Sequence, residues 1–141
     1  MAKRAVATII QTQASIRELV EKAFRLISEG DFTGYFDLFT EDAVWMLPSD
    51  FEDVNRAKAR SFYGFTDKFR FDQQMTIHEV GASGDLGFAR ISMDGFLRPK
   101  DDPVGAPLRS ASRHIWLFAR QPSGEWKITR DIWNNPRRPQ G

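Results

Sequence analysis

The amino-acid sequence predicts an α+β domain, and two observations carry that prediction. The first half of the chain has the apolar spacing of helices, whereas the second half has four strand-like segments separated by turn residues. Helices followed by a run of antiparallel strands are typical of α+β domains with one layered core. The 141 residues, of which 41% are hydrophobic, suit one domain. We therefore expect a single domain over residues 1–141, with its core at about residues 14–134 and flexible basic tails at both ends.

Two helices are predicted near the start of the chain. In "SIRELVEKAFRLISEGD" the apolar residues recur at the i, i+3, i+4 spacing of one buried face: Ile16, Leu19, Val20, Ala23, Phe24 and Ile27. Ser15 and Glu18 fit a capping box at the start of this helix, and Gly30 fits its end. A short second helix is predicted in "DFTGYFDLFT", with three phenylalanines facing inward: Phe32, Phe36 and Phe39.

Five strands and a third helix follow. "AVWML" predicts a strand that ends before Pro48, and "FEDVNRAKARSFYGF" predicts a return to helix. Four further strands are predicted in "FRFDQQMTIHEV", "LGFARISMDGFLR", "RSASRHIWLFAR" and "EWKITRDIWN". The segments "GASGD", "PKDDPVGAP" and "QPSG" separate them with turn residues.

Composition and spacing argue against several kinds of function. A net charge of +1 is too balanced to indicate a nucleic-acid binder. The chain has no cysteine and no apolar stretch long enough to span a bilayer, so we expect a cytoplasmic protein without a membrane partner. His78 and His114 lie far apart and match no ligand spacing, so neither a metal site nor a cofactor is expected. No Ser-His-Asp pattern is recognisable in the sequence.

Three segments in order resemble a known superfamily. "SEGDFTGYFDLFTEDAVWMLP", "GDLGFARISMDGF" and "HIWLFARQPSGEWKITRDIWN" resemble SnoaL-like and DUF4440-type members of the NTF2-like superfamily, which has the ketosteroid isomerase-like, cystatin-like fold. The resemblance implies a cone-shaped barrel in which a strongly curved antiparallel sheet wraps around the long N-terminal helix. It also implies a largely apolar pocket at the open end of the cone and a homodimer through the outer face of the sheet. The superfamily holds isomerases, cyclases, hydrolases, dehydratases and proteins that only bind or oligomerise, so fold alone does not decide function.

The isomerase branch of that superfamily uses three residues that this chain lacks. A carboxylate base belongs just before the proline that ends the first strand, where this chain has Leu47. A tyrosine of the first helix and an acid of the next-to-last strand fall by register near Ala23 and Arg113. The resemblance therefore does not imply steroid-type isomerisation by that set of residues.

The two carboxylates of the segment "TEDAVWMLPSD" are not expected to supply the missing base. Glu41 and Asp42 are expected to form a solvated turn between the second helix and the first strand. Trp45 shares a strand face with Ala43 and Leu47, which is the inward face by resemblance. Whether Trp45 lines a pocket or only fills the core stays open.

Strand alternation gives two possible inward faces on the third strand. The resemblance turns Phe88, Arg90, Ser92 and Asp94 toward the cavity, whereas composition alone would bury Ala89, Ile91 and Met93. Both can hold if the apolar face is buried in a dimer. Dimerisation is therefore predicted through an apolar outer set: Ala89, Ile91, Met93, Trp116 and Phe118.

The last two strands supply the sharpest hypothesis about the site. Register by resemblance turns Arg113 and Ile115 inward, and on the last strand it turns inward Thr129, Asp131 and Trp133. Arg113 and Asp131 are then cross-strand neighbours and candidate catalytic residues, the first binding an anion and the second acting as acid or base. The candidate ligand-binding residues are Trp45, Leu47, Phe88, Arg90, Ser92, Asp94, Ile115, Thr129 and Trp133.

The sequence alone leaves two alternatives to this hypothesis. Arg113 and Asp131 could form a purely structural ion pair, and a one-residue slip of register would put His114 in the place of Arg113. The predicted function is a cofactor-independent acid-base enzyme acting on a small apolar acid or carbonyl compound, as an isomerase, cyclase, hydratase or dehydratase. The alternative is a non-catalytic ligand-binding or dimerisation module of the same fold.

Overall fold

The computed structural model describes residues 2–136 and has the predicted α+β architecture. The helical part comprises α1 (Ala2–Glu29), α2 (Phe32–Asp37), α3 (Arg56–Phe62) and a 3-10 helix (Tyr63–Asp67). The strands are β1 (Phe39–Met46), β2 (Phe69–Ser83), β3 (Leu86–Pro99), β4 (Leu108–Arg120) and β5 (Trp126–Asn134). The last four predicted strands are present close to their predicted bounds, whereas β1 begins at Phe39, four residues before the predicted strand "AVWML". The C-terminal tail predicted to be flexible lies mostly in residues 137–141, outside the described residues.

The strands form one curved sheet in the order β1-β5-β4-β3-β2. β1 runs parallel to β5, and all the other neighbouring pairs are antiparallel. Irregularities in pairing interrupt β1, β2 and the β4–β5 pair, and such bulges bend strands and increase twist. α1 packs against β2, β3 and β5, so the sheet wraps around the helix as the resemblance implies.

α1 begins far earlier than the sequence predicts. Ser15 lies in the middle of the helix, where its hydroxyl donates to the carbonyl oxygen of Gln11 at 3.1 Å instead of capping a helix start. No proline or glycine precedes Gly30 in the chain, so nothing in residues 2–14 interrupts the helical hydrogen bonds. The predicted capping box of Ser15 and Glu18 is therefore wrong.

The predicted end of α1 is confirmed. Gly30 has φ of 77°, a left-handed conformation that favours glycine because it has no Cβ. Its N–H donates to the carbonyl oxygen of Ile27, and the N–H of Asp31 donates to that of Leu26. These two bonds form a Schellman motif, which turns the chain directly into α2.

The core lies between α1 and the concave face of the sheet. Ile16, Val20, Ala23 and Ile27 of α1 are buried, as their spacing predicts, and Phe36 and Phe39 are buried beside them. Ala89, Ile91, Met93, Trp116 and Phe118 also lie in this core. The prediction that those five residues form the outer face of the sheet is wrong. Their apolar side chains are the buried ones, as composition alone indicates.

Glu41 and Asp42 lie inside β1, not in a turn before it. Both are exposed, at the irregularity that separates the pairing of Phe39 with Ile128 from the pairing of Val44 with Arg130. They are therefore surface residues of a bulged strand. Among the described residues, no helix is long and apolar enough to cross a membrane.

Candidate active site

A cavity of about 260 Å³ lies beside the end of α1 and the 3-10 helix. Eight of its eighteen lining residues are aromatic, and they come from helices, strands and the loop after β1: Tyr35, Phe51, Phe62, Tyr63, Phe65, Phe71, Trp116 and Trp133. Its size is near the lower end of the range of ligand pockets, so only a small molecule fits. Apolar walls with a few polar groups are the usual composition of a small-molecule site.

Strand β4 supplies the polar wall of the cavity. Ser110, Ser112, His114 and Trp116 occupy alternate positions of β4, and all four line the cavity. Successive side chains of a strand point to opposite faces, so a two-residue spacing places these four on one face. The sequence "SASRHIW" therefore builds a row of three polar side chains ending in a tryptophan.

His114 forms a buried pair with Asp131 of the neighbouring strand. Nδ1 of His114 lies 2.8 Å from Oδ1 of Asp131, and the two residues are 8% and 1% exposed. In the sheet, Asp131 lies opposite Trp45 on one side and Trp116 on the other. The imidazole ring stacks on Trp133, with ring centroids 5.3 Å apart and planes 23° from parallel. The pair is thus held in one orientation by aromatic rings.

Ser112 bonds to the other ring nitrogen of the histidine. Oγ of Ser112 lies 2.7 Å from Nε2 of His114. A carboxylate only accepts hydrogen bonds, so a neutral His114 facing Asp131 carries its proton on Nδ1. Nε2 is then an acceptor, and the hydroxyl of Ser112 donates to it. Ser112, His114 and Asp131 form a continuous chain of two hydrogen bonds along the cavity wall.

Two tyrosines line the same cavity as these hydrogen-bonded side chains. Burial raises the pKa of Tyr35 above its usual value of 10.0, and the nearby charge of Asp131 raises that pKa further. Burial also raises the pKa of Tyr63, with contributions from Tyr35 and then Asp131. The hydroxyl of Tyr35 lies 3.5 Å from Nε1 of Trp45. Both tyrosines therefore stay protonated at neutral pH and can donate hydrogen bonds into the cavity.

Two buried polar atoms of cavity residues lack a partner within the described part of the chain. They are Oε1 of Gln73 and Nε1 of Trp116. The amide nitrogen of Gln73 donates to the backbone oxygen and the hydroxyl of Ser110, at 3.1 and 3.0 Å, which leaves Oε1 as a free acceptor. A buried polar group without a partner costs free energy, so such groups call for an explanation. One free donor and one free acceptor suit a ligand that has both kinds of group.

The charge of the cavity wall is also informative. Its ionisable side chains are His114, Asp131 and the two tyrosines, and no lysine or arginine within residues 2–136 lines it. The same part of the chain has no cluster of three or more histidine, aspartate or glutamate side chains that could hold a metal ion. A bound carboxylate would meet Asp131 without a cation to offset the repulsion. The arrangement suits a neutral ligand.

Arg113 lies outside the cavity, contrary to the prediction. Its side chain is exposed, and its Nε donates to Oδ1 of Asn134 at 2.6 Å. In the β4–β5 pairing Arg113 lies opposite Asn134, and His114 lies opposite Trp133. The predicted pair of Arg113 with Asp131 is therefore wrong, and His114 holds the inward position. A slip of one residue exchanges the two faces of a strand, as the alternative at the sequence level allowed.

The predicted cavity face of β3 is wrong for the same reason. Arg90 and Asp94 are exposed, and the buried residues of β3 are the alternate ones. Each of the four predicted residues contacts a side chain or glycine on the outer face: Arg90 with Glu79, Ser92 with His78, Asp94 with Arg109, and Phe88 with Gly81. None of them lines the cavity described above.

The remaining predicted residues divide between the core, the outer face and the cavity. Trp45 is fully buried in the core and Leu47 packs against it, so the core alternative for Trp45 is the one the structure has. Ile115 alternates with His114 and lies on the outer face. Thr129 lies at the irregularity of β5, where its hydroxyl is 3.2 Å from that of Thr40. Of the predicted set, Asp131 and Trp133 line the cavity.

Sequence reasoning missed most of the polar residues of the site. Ser112 and His114 were available as a serine and a histidine two residues apart on a predicted strand, a spacing that places both on one face. Tyr35 and Tyr63 are the chain's two tyrosines, and both lie in predicted helices. What the sequence could not supply was the pairing of β4 with β5, which brings Asp131 to His114.

Comparison with known proteins gives a family and a fold. The sequence profile of the SnoaL-like domain matches residues 20–127. No curated protein matches the chain. Among solved structures, a ketosteroid isomerase-like protein from Erwinia carotovora atroseptica is similar with a TM-score of 0.77 and 20% identity, covering 89% of this chain and 97% of its own.

Two further structures have the same fold. An NTF2-like protein with a cystatin-like fold from Novosphingobium aromaticivorans has a TM-score of 0.70 and 21% identity, covering 95% of this chain and 86% of its own. A proposed dehydratase of the NTF2-like family from Streptomyces avermitilis has a TM-score of 0.72 and 14% identity, covering 91% and 98%. At these identities the similarity shows the fold alone.

Proposed function

The chain belongs to the family of SnoaL-like domains, and we propose that it binds a small neutral carbonyl or hydroxyl compound and moves a proton on it. His114 and Asp131 are the acid-base pair of this proposal, and no cofactor takes part. The observation that carries it is the 2.8 Å bond between Nδ1 of His114 and Oδ1 of Asp131 inside an aromatic cavity. A histidine oriented by a buried carboxylate is a common general base.

The proposed proton transfer begins at Nε2 of His114. A ligand group displaces the hydroxyl of Ser112 from that nitrogen and gives up a proton to it. The imidazolium that forms is stabilised by the carboxylate of Asp131 on its other side. Returning the proton to another carbon of the ligand is an isomerisation, and returning it to a departing hydroxyl group is a dehydration.

Negative charge that develops on the ligand oxygen needs a donor in the cavity. The hydroxyls of Tyr35 and Tyr63 remain protonated because their pKa values are raised. Nε1 of Trp116 is a further donor without a partner in the described part of the chain. Donors fixed in an apolar site stabilise such charge more than water does.

The cavity favours a neutral ligand over the acid that the sequence suggested. Anion binding was assigned to Arg113, which the structure places on the outer face. No arginine or lysine among the described residues takes its place in the cavity wall. We therefore narrow the ligand class to uncharged carbonyl or hydroxyl compounds that fill about 260 Å³.

Deuterium exchange tests the proposal without knowing the natural substrate. The purified protein is incubated in heavy water with small neutral aromatic ketones and cyclic enones, and loss of the protons next to the carbonyl is followed by NMR. Wild type should catalyse exchange for at least one compound, and Asp131→Asn and His114→Gln should lower the rate about a hundredfold or more. Arg113→Gln is the matched control, since Arg113 adjoins His114 in sequence but faces outward, and it should exchange like wild type.

The second candidate is a binding module without catalysis. It is favoured if the compounds raise the melting temperature of the wild-type protein and none of their protons exchanges. Exchange that survives in both Asp131→Asn and His114→Gln contradicts the acid-base role of the pair. A loss of exchange in Arg113→Gln equal to that in His114→Gln contradicts the placement of the site on the inner face of β4.

A further inference from the structure

We propose that Ser112 is a nucleophile and that the cavity also cleaves small uncharged esters through an acyl-serine intermediate. This inference rests on the proposed function in one respect, because it uses His114 and Asp131 as the base and its orienting carboxylate. It adds a covalent step at a residue that proton transfer on a carbonyl compound does not require.

The geometry of three side chains supports this step. Oγ of Ser112 lies 2.7 Å from Nε2 of His114, and Nδ1 of the same ring lies 2.8 Å from Oδ1 of Asp131. Both distances are within hydrogen-bond range without any movement of the protein. A serine bonded to a histidine that is in turn oriented by a carboxylate is the arrangement that activates a serine nucleophile on several unrelated folds.

A second serine–histidine contact in the same sheet shows what is distinctive about Ser112. Oγ of Ser92 also lies 2.7 Å from Nε2 of a histidine, His78. That contact is on the exposed outer face, and within residues 2–136 no carboxylate bonds to His78. Ser112 differs by the buried Asp131 behind its histidine and by the apolar cavity in front of it. Ser92 is therefore a matched control for chemistry at Ser112.

The cavity also offers donors for the oxygen of an ester. Trp116 is two residues beyond His114 on the same face of β4, and its Nε1 has no partner among the described residues. The rings of Trp116 and His114 are 6.1 Å apart, centroid to centroid. A carbonyl oxygen that gains negative charge near His114 can accept from that N–H. The absence of lysine and arginine from the wall restricts the acyl and alcohol parts to uncharged groups.

The proposed reaction needs only an ester and water. Oγ of Ser112 bonds to the ester carbonyl carbon while Nε2 of His114 takes the hydroxyl proton. The carbon–oxygen bond to the alcohol then breaks, and the alcohol leaves with that proton. Water attacks the acyl-serine with His114 again as base, which releases the acid and restores the hydroxyl of Ser112. No electrons are gained or lost, so no oxidant or reductant is required.

Intact-protein mass spectrometry tests the proposal with two probes. Wild type is incubated with p-nitrophenyl acetate and, separately, with diisopropyl fluorophosphate, which leaves a stable adduct on activated serines. We expect one adduct per chain, located by peptide mapping at Ser112. Ser112→Ala should form no adduct, and the rate of adduct formation in His114→Gln should be lower by about a hundredfold or more. Ser92→Ala should be modified like wild type.

Three results would overturn the inference. They are no adduct on the folded wild type with either probe, an adduct that persists in Ser112→Ala, or an adduct mapped to another residue. A thermal melt of each variant shows whether it is folded. If Ser112→Ala is unfolded, its loss of label is set aside, and peptide mapping of the wild type decides which residue carries the adduct.

Wild type alone separates this inference from the proposed function. Deuterium exchange without labelling of Ser112 leaves the acid-base proposal standing and removes the nucleophile. Labelling of Ser112 without deuterium exchange on any ketone does the reverse. Both results together indicate that one histidine serves both reactions.

Discussion

The side chains of His114 and Asp131 join two neighbouring strands through a bond of 2.8 Å between Nδ1 and Oδ1. The two side chains of this bond come from different strands. β4 supplies the imidazole and β5 the carboxylate, and the pairing of His114 with Trp133 stacks a ring against the imidazole. The position of the site thus depends on the register of β4 and β5.

The first prediction concerns the energy of this pair. A double-mutant cycle with Asp131→Ala, His114→Ala and the combined variant should give a coupling of about 1–2 kcal/mol in the free energy of unfolding, because both groups are buried and each is left without its partner when the other is changed. Chemical denaturation measures it. The control is the exposed pair of Arg113 and Asn134, joined at 2.6 Å, whose coupling should be below about 0.5 kcal/mol. Equal couplings in the two cycles would contradict the burial of the His114–Asp131 bond.

The second prediction concerns the tyrosines at high pH. Tyr35 and Tyr63 have raised pKa values in the folded protein, and they are the chain's two tyrosines, so tyrosinate absorbance reports on this site alone. In the unfolded chain a tyrosine ionises near pH 10. Their contribution to stability is therefore complete below about pH 10 and is lost as the pH rises above that value. We expect no tyrosinate absorbance until the protein unfolds.

Melting temperatures measured from about pH 8 to about pH 12 complete this test. Tyr35→Phe should reduce the fall in melting temperature at the alkaline end, since phenylalanine does not ionise and other groups are unchanged. A tyrosinate signal that grows near pH 10 while the far-ultraviolet circular dichroism stays native would contradict the burial of these hydroxyls.

Most of the fold could be predicted from local sequence patterns. The period-2 segments and the glycine and proline turns between them gave strands β2 to β5, and Gly30 gave the end of α1. The start of α1 was missed because Ser15 and Glu18 look like a cap, and the sequence does not say whether the helix is already formed before them. A serine and a glutamate with capping-box spacing have no capping role inside a helix. The hydroxyl of Ser15 instead donates to the carbonyl oxygen of Gln11, one turn earlier.

The site could be predicted only in part, because alternation does not say which face is inside. In β3 the apolar set of Ala89, Ile91 and Met93 was the correct core face, and the polar set was assigned to the cavity only by resemblance. In β4 both sets contain large apolar residues, so composition decides less clearly. The irregular pairing between Leu117 and Phe118 then prevents counting from Asp131 across the hairpin. The packing of the strands against α1 and against each other determines which face is buried, and the alternation of side chains alone does not.

The third prediction concerns Gly95, which allows β2 to approach β3 closely. A Cβ at this position would lie 2.6 Å from Cα of Gln73 and closer still to the backbone oxygen of Asp72. Gly95→Ala must therefore displace β2, at a cost of about 1–3 kcal/mol in the free energy of unfolding. Gln73 lines the cavity, so the same variant should also weaken ligand-induced stabilisation.

Gly64→Ala is the matched control for that substitution. A Cβ there meets no atom within 4 Å, and the backbone is not in the left-handed region. Its free energy of unfolding should stay the same or rise by up to about 1 kcal/mol. Comparable losses in the two variants, measured by chemical denaturation, would contradict the close approach of the two strands at Gly95.

The last prediction concerns association through the outer face of the sheet. The five residues that first suggested a dimer are in the core, but a different apolar row lies outside. Met46, Leu117 and Ile132 are 37%, 37% and 38% exposed, and the strand pairing places Ile132 beside both Met46 and Ile115. Leu117 lies on the same face of β4, two residues beyond Ile115, and opposite Phe88 of β3, which widens the apolar patch.

We propose that a second copy of the chain covers this row, because a two-fold contact brings the same apolar patch of each copy together. Wild type should sediment as a dimer at micromolar concentration, and Leu117→Arg should sediment as a folded monomer, since it places a charge in the middle of the patch. Gln74→Arg adds the same charge at an exposed position of β2 away from the apolar row and should remain dimeric. A wild type that is monomeric under these conditions would contradict the proposal, and the row would then be an ordinary exposed part of the surface.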